Sequence, residues 1–278
     1  MPPPTIRSHS NTKIKLALSL RLRRARETTG LFLVEGIRPV TDAVASGWPV
    51  VFILYAPDLL RSEHASELIQ HQSDAGLPCL PVSAEVFASL AAREHPQGIL
   101  AVARIRRTAL ADLHPRNFER AVALAAPQDP GNVGAVLRTV DAVGAGGLIL
   151  LDHSADVYHP VAVRASMGAI FWRPVVRVPF ADFTAWSAAH RYHVWGAAIH
   201  GSDDFRKVQA WPRPFILLLG SEREGLSAEQ AAICERLIHL PMAGHVDSLN
   251  LAVAAGVLLY AMVANLPESP PASSASIS

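Results

Sequence analysis

Three uninterrupted apolar runs constrain this chain most: AVALAA at 121–126, LILL at 148–151 and FILLL at 215–219. A strand with one face in water alternates apolar and polar residues, whereas a strand covered on both faces is apolar throughout. Helix-sized segments separate the runs, so they predict a parallel sheet with helices on both sides. Shorter runs in PVVRV, VWGAAI and RLIHL extend the same alternation, and 50% hydrophobic residues over 278 positions supply ample core. Upstream, LFLVEG, VVFILYA, LPCLPVS and GILAVAR form a second set, interleaved with helical stretches at RPVTDAVAS and AEVFASLAA. The expected organisation is a smaller α/β unit over residues 1–107, a linker over 108–118 with little strand character, and a larger α/β unit over 119–266. The segment 267–278, PESPPASSASIS, cannot bury enough to fold and reads as a disordered tail.

Charge is balanced overall at +1 but not locally: residues 1–26 carry seven Lys and Arg and no acid. Such a segment is either a solvated helix face or a phosphate contact, with Arg21, Arg23, Arg24 and Arg26 as the contacting residues. Cys79 and Cys234 are isolated, so neither a disulfide framework nor a metal site is expected, and a reducing, cytoplasmic setting fits. The apolar letters of KIKLALSL are too broken by lysine for an export signal. The run from Leu249 to Leu266 approaches the length of a membrane span. Asn250 near its start, with Ser248 available as an N-cap, favours a buried helix instead.

Three loops carry the polar residues that this framework does not need. In PQDPGNVGAVLRTVDAV, turning 100° per residue from Val133 places Val136, Leu137, Val140 and Val143 on one helix face and Arg138 roughly opposite, so Arg138 points away from the core. The glycine spacing GNVG is wrong for a dinucleotide loop, which wants G-x-G-x-x-G. In LLLGSEREGLS, Gly220 and Gly225 allow a sharp turn or close approach to a ligand, with Glu222 between them, while Ser227 and Gln230 match a capping box. In LPMAGHVDSLNLAVA, Ser248 and Asn250 sit where free helix amides gather. Taken singly, each loop reads equally as local structure or as a ligand contact.

Taken together, their order and spacing resemble the three motifs of the SpoU (TrmH-like) branch of the SPOUT RNA methyltransferases. The first is Asn132 followed by Arg138 and Thr139; the second is Gly220, Glu222, Gly225 and Leu226; the third is Pro241, Met242, Gly244, Ser248, Leu249 and Asn250. Arg164, Ser166, Gly168 and Ala169 are similar to a further family segment, and LFLVEGIRPVTDAV to the start of an L30e-like RNA-binding domain. Ala252 departs from the pattern, standing where many members continue Asn-Val-Ser.

The resemblance implies an α/β SPOUT domain threaded as a trefoil knot, S-adenosyl-L-methionine held at Gly220, Leu240, Met242 and Leu249, and a homodimer formed through the C-terminal domain. It implies 2'-O-ribose methylation of structured RNA, ribosomal more than transfer RNA, with Arg138 at the ribose hydroxyl and Asn132, Glu222, Ser248 and Asn250 completing the site. Ser166 is expected to help bind RNA. A non-enzymatic RNA-binding protein that kept the fold is the rival, and the intact motif residues weigh against it.

Overall fold

The computed structural model describes residues 3–92 and 94–264; the expected tail at 267–278 lies outside the described residues. Two sheets organise the chain. The first contains β1 (Leu31–Glu35), β2 (Val50–Tyr55), β3 (Cys79–Pro81) and β4 (Ile99–Arg104), in the order β1-β4-β2-β3. It is mixed: β4 runs antiparallel to β1 and β2, while β2 and β3 are parallel. Its helices are α1 (Thr12–Ser19), α2 (Arg23–Thr29), α3 (Ile37–Ala45), α4 (Glu63–Asp74) and α5 (Ala84–Leu90). The basic N-terminal segment is not a free arm: Ile14 and Ala17 of α1, with Leu20, are buried with Phe52, Val86 and Phe87 on one face of this sheet.

The second sheet contains β5 (Arg120–Ala125), β6 (Gly147–Leu151), β7 (Val175–Val178), β8 (His193–Ala197), β9 (Asp203–Asp204), β10 (Phe215–Leu219) and β11 (Arg236–His239). Their order is β7-β6-β5-β10-β8-β11-β9, and every pairing is parallel. The helices are α6 (Pro130–Ala142), α7 (Pro160–Ala165), α8 (Phe180–Ala189), α9 (Ala228–Ala232) and α10 (Leu251–Val263). The apolar runs behave as their composition demands. Ala121, Ala123, Ile216 and Leu218 enter one core with Phe183 and Trp186 of α8. Val122, Leu124, Leu217 and Leu219 enter the other, with Val133, Val136 and Leu137 of α6 and Leu258 of α10. Successive side chains therefore face opposite cores, both dry.

Arg26 corrects the expectation that it contacts RNA. Its side chain is 1% exposed and paired with Asp156, 130 positions away, at 2.7 Å. Its Nη1 also donates to Leu20 O at 2.8 Å and Arg21 O at 2.9 Å. The guanidinium is thus used internally, tying α2 to the loop after β6. Ser166 is corrected for the same reason: it is fully buried, and its hydroxyl donates to Val163 O at 2.7 Å. The segment around it is a joint between the two sheets. Gly168 has φ +93°, and a Cβ there would collide with the Asp42 carboxylate of α3, so a glycine allows that approach. Phe32 and Tyr158 rings meet 4.8 Å apart across the same seam.

The final helix also differs from its expected start. Asn250, not Ser248, is the N-cap of α10, because its Oδ1 accepts from Ala252 N at 2.9 Å and Val253 N at 3.4 Å. That arrangement is worth about 1 kcal/mol relative to an uncapped start. Leu251, Ala255, Leu258, Leu259 and Met262 are buried, whereas Val253, Val257 and Tyr260 are exposed. No helix among the described residues is long and apolar enough to cross a membrane.

Candidate active site

Asn132 stands in the first turn of α6, which Asp129 caps by accepting from Gly131 N at 2.7 Å, with Pro130 at the first helical position. The pair Asp129-Pro130 was legible as a helix start in the sequence, yet the motif drew attention to Asn132 alone. Asn132 is buried, and its amide links the three loops. Asn250 Nδ2 donates to Asn132 Oδ1 at 3.0 Å, and Asn132 Nδ2 donates to Glu222 Oε1 at 2.9 Å. The direction of this relay is fixed from the helix end. Asn250 Oδ1 is committed to capping α10, which leaves its NH2 to face Asn132 and the Asn132 NH2 to face the carboxylate.

Glu222 accepts a further bond from Gln128 N at 3.2 Å. Burial raises its pKa, but the Asn132 amide and the N–H groups of Glu222, Gln128 and Asp129 outweigh that and hold the carboxyl below its ordinary value. Its charge is therefore kept, and it anchors the loop instead of supplying protons at neutral pH.

The loop after β10 closes on itself through Ser221 N to Gly225 O at 3.1 Å and Gly225 N to Ser221 O at 3.0 Å. A Cβ on Gly220 would collide with the backbone of Gly225 and Leu226, so the turn requires glycine there. Ser227 and Gln230 form the expected capping box at the start of α9.

After β11 the chain behaves differently. Among the described residues, the backbone groups of Met242 to Leu249 make no hydrogen bond to another part of the chain. Free N–H and C=O groups on a loop pinned at both ends suit the polar edge of a ligand. Leu240 is partly buried against the core, Met242 is half-buried, and Leu249 and Ser248 are exposed. Apolar side chains beside unpaired main chain, next to the Gly220 turn, fit a ligand such as S-adenosylmethionine, which combines a purine with an apolar and a charged end.

Arg138 stands apart from this relay. It is exposed on α6 while Val136, Leu137 and Val140 are buried, as the helical period requires. The polar partners of Asn132 are Glu222 and Asn250, so the two asparagines position loops and do not orient Arg138. Thr139, its neighbour in the motif, donates to Ala135 O at 3.1 Å and serves the helix. Arg21, Arg23 and Arg24 are exposed on the N-terminal domain, with Arg21 Nη2 donating to Ser89 O and Ala91 O, and Arg23 paired to Glu27. No cluster of three or more metal-ligating side chains occurs among the described residues.

The profile of the SpoU rRNA Methylase family matches residues 119–260, and that of the MRM3-like substrate binding domain matches residues 11–101. The 23S rRNA (uridine(2479)-2'-O)-methyltransferase of Streptomyces viridochromogenes is 35% identical over 247 residues, covering 87% of this chain and 85% of the relative. The 23S rRNA (guanosine(2553)-2'-O)-methyltransferase RlmP of Bacillus subtilis is 30% identical over 255 residues, covering 92% and 97%. The crystal structure of an AdoMet-bound rRNA methyltransferase from Sinorhizobium meliloti superposes with a TM-score of 0.87 at 32% identity, covering 95% of this chain and 99% of that one. A family profile over half the chain and relatives along nearly its full length lead to one conclusion: the chain belongs to the SpoU rRNA methylase family.

Proposed function

We propose that the protein is an S-adenosylmethionine-dependent 2'-O-ribose methyltransferase and that its substrate is ribosomal RNA. The relay from Asn250 through Asn132 to Glu222 carries the reading, because it fixes all three motif loops in one place with hydrogen bonds of 2.9–3.0 Å. S-adenosylmethionine supplies a methyl carbon made electrophilic by its sulfonium. Gly220, Leu240, Met242 and Leu249 would hold it, with the free main chain of Met242 to Leu249 available to its polar edge.

The chain's own contribution to the chemistry is positional and electrostatic. Arg138 presents a guanidinium to the ribose. A guanidinium does not give up its proton near neutral pH, so Arg138 stabilises the negative charge that develops on the 2'-oxygen and is not the base. The hydroxyl proton passes to a phosphate oxygen of the RNA as the oxygen gains its methyl group. Glu222 and the two asparagines keep the loops in register, and Ser248 is exposed at the mouth of the third loop. The N-terminal domain, residues 1–107, grips the RNA through phosphate contacts at Arg21, Arg23 and Arg24, and residues 119–266 carry the transferase.

The same reading makes the protein a homodimer through α10. Val253, Val257 and Tyr260 form an exposed apolar strip along that helix, with Tyr260 59% exposed, and a two-fold copy would cover it. The trefoil threading belongs to it as well: β10 inserts between β5 and β8, and the chain after β11 returns so that α10 packs on α6. The protein then works in the cytoplasm, where its RNA is found.

Calorimetry with S-adenosylmethionine, followed by labelled methyl transfer to ribosomal and transfer RNA from cells lacking this gene, tests the reading. Cofactor binding and label in ribosomal RNA are expected. Label in transfer RNA alone would contradict the substrate, and RNA binding without cofactor binding would contradict the activity.

A further inference from the structure

The seam between the two domains holds a cavity of about 200 Å³ that touches none of the cofactor loops. Trp48 and Arg106 of the first domain, Thr108 of the connecting segment, and Trp172 and Arg173 of the turn before β7 line it. The Arg106 guanidinium lies 4.6 Å from the Trp48 ring centroid, and its Nη2 donates to Gly47 O at 2.6 Å, which holds the cation over the ring. Trp172 is 52% exposed. The neighbouring charge is one-sided. Arg104, Arg106 and Arg107 are all exposed, and Asp141 is committed to Arg173 at 2.7 Å.

We propose that this cavity is a stacking subsite for one unpaired base of the RNA substrate, next to the nucleotide whose ribose Arg138 receives. The proposal rests on the methyltransferase reading above and names where that RNA is gripped. Size argues first. About 200 Å³ lies below the roughly 300 Å³ at which sites for drug-sized ligands begin, so one ring system fits and a whole cofactor does not.

Chemistry argues second. Aromatic faces flanked by arginines are how proteins hold single-stranded nucleic acid, with the rings stacking on bases and the cations on phosphates. The polar atoms of the two inner rings are already used, since Trp48 Nε1 donates to Arg104 O at 2.8 Å and Tyr158 OH to Arg106 O at 2.6 Å. The cavity therefore offers the exposed Trp172 ring and positive charge, and it selects unpaired over paired bases.

Position argues third. Asp141 follows Arg138 by three residues on α6, so the two are surface neighbours, and Asp141 is the residue that pins Arg173 against the cavity. One wall of the subsite is thus a single helical turn from Arg138.

The test compares the full-length wild type with Trp172→Ala and Trp172→Phe. Methyl transfer to unmodified ribosomal RNA, S-adenosylmethionine affinity and sedimentation are measured for each, and the proteins are crosslinked to a 23S rRNA transcript containing 4-thiouridine. Trp172→Ala is expected to raise the RNA KM about tenfold, the order of one base–aromatic stack, with kcat, cofactor affinity and oligomeric state unchanged. Trp172→Phe should restore most of the KM, and the crosslinked peptide should contain residue 172. An unchanged KM in an active Trp172→Ala protein, or a KM rise accompanied by dissociation into monomers, would overturn the subsite and leave the functional reading intact. A wild-type protein that transfers no methyl group to any RNA would overturn that reading and the subsite with it.

Discussion

Asn132 Nδ2 donates to Glu222 Oε1 at 2.9 Å, joining residues 90 positions apart in the first and second motifs. Asn250 then completes the relay from the third motif. Asn132→Ala should leave the exposed Glu222 carboxylate with one donor fewer and remove the partner of Asn250. Loss of such a bond typically costs about 0.5–1.5 kcal/mol when the partners left behind can be solvated. Urea denaturation should show that loss together with weaker S-adenosylmethionine binding by calorimetry. Unchanged cofactor affinity would mean that the relay does not shape the cofactor loops.

The carboxyl of Glu222 gives the relay a pH dependence. Its folded pKa lies below the ordinary value of 4.5, so its stabilising contribution is fully present above that value and is lost as pH falls through the folded pKa. Wild-type stability measured from pH 6 down to pH 3 should therefore decline more steeply than that of Glu222→Gln. Parallel declines would show that the Asn132 and backbone donors do not favour the charged form.

Arg26→Ala separates a structural from an RNA-binding arginine. Removing one partner of a buried ion pair costs about 3–5 kcal/mol, so this variant should unfold at much lower urea concentration than wild type. Arg24→Ala, on an exposed side chain, should leave stability within about 0.5 kcal/mol and instead reduce the salt dependence of RNA binding. A stable Arg26→Ala protein with weakened RNA binding would reverse the assignment.

The exposed strip on α10 predicts the oligomeric state. Val257→Asp should give a folded monomer by equilibrium sedimentation at micromolar concentration, with transfer activity lost. An active, monomeric wild type would contradict the dimer.

Much of this was legible in the sequence because it is local. Apolar runs at 121–126, 148–151 and 215–219 specify strands covered on both faces, and the helical period puts Arg138 outward. The two-residue strand Asp203–Asp204 has no apolar signature, since it is held by its register with Ile238 and His239. The fates of Arg26 and Ser166 were hidden for another reason. Composition makes an arginine in a basic segment look solvated, and only tertiary contact with Asp156 buries it. Ser166 looks like a ligand contact until the packing of α7 encloses it. The relay itself was readable as three motifs but not as hydrogen bonds, because its members are 90 and 118 residues apart.

Which atom receives the methyl group, and which residue presents it, is a single question. Ribosomal RNA methylated by the full-length protein with labelled S-adenosylmethionine, then hydrolysed in alkali, decides it. A 2'-O-methylated nucleotide cannot be cleaved at its own 3' phosphate, so the label should appear in alkali-resistant dinucleotides. Arg138→Ala should fold and bind cofactor as wild type does, and its rate should fall at least about 100-fold, the order seen when one charge-stabilising donor is removed. Label in alkali-sensitive mononucleotides, or wild-type transfer by Arg138→Ala, would contradict the account.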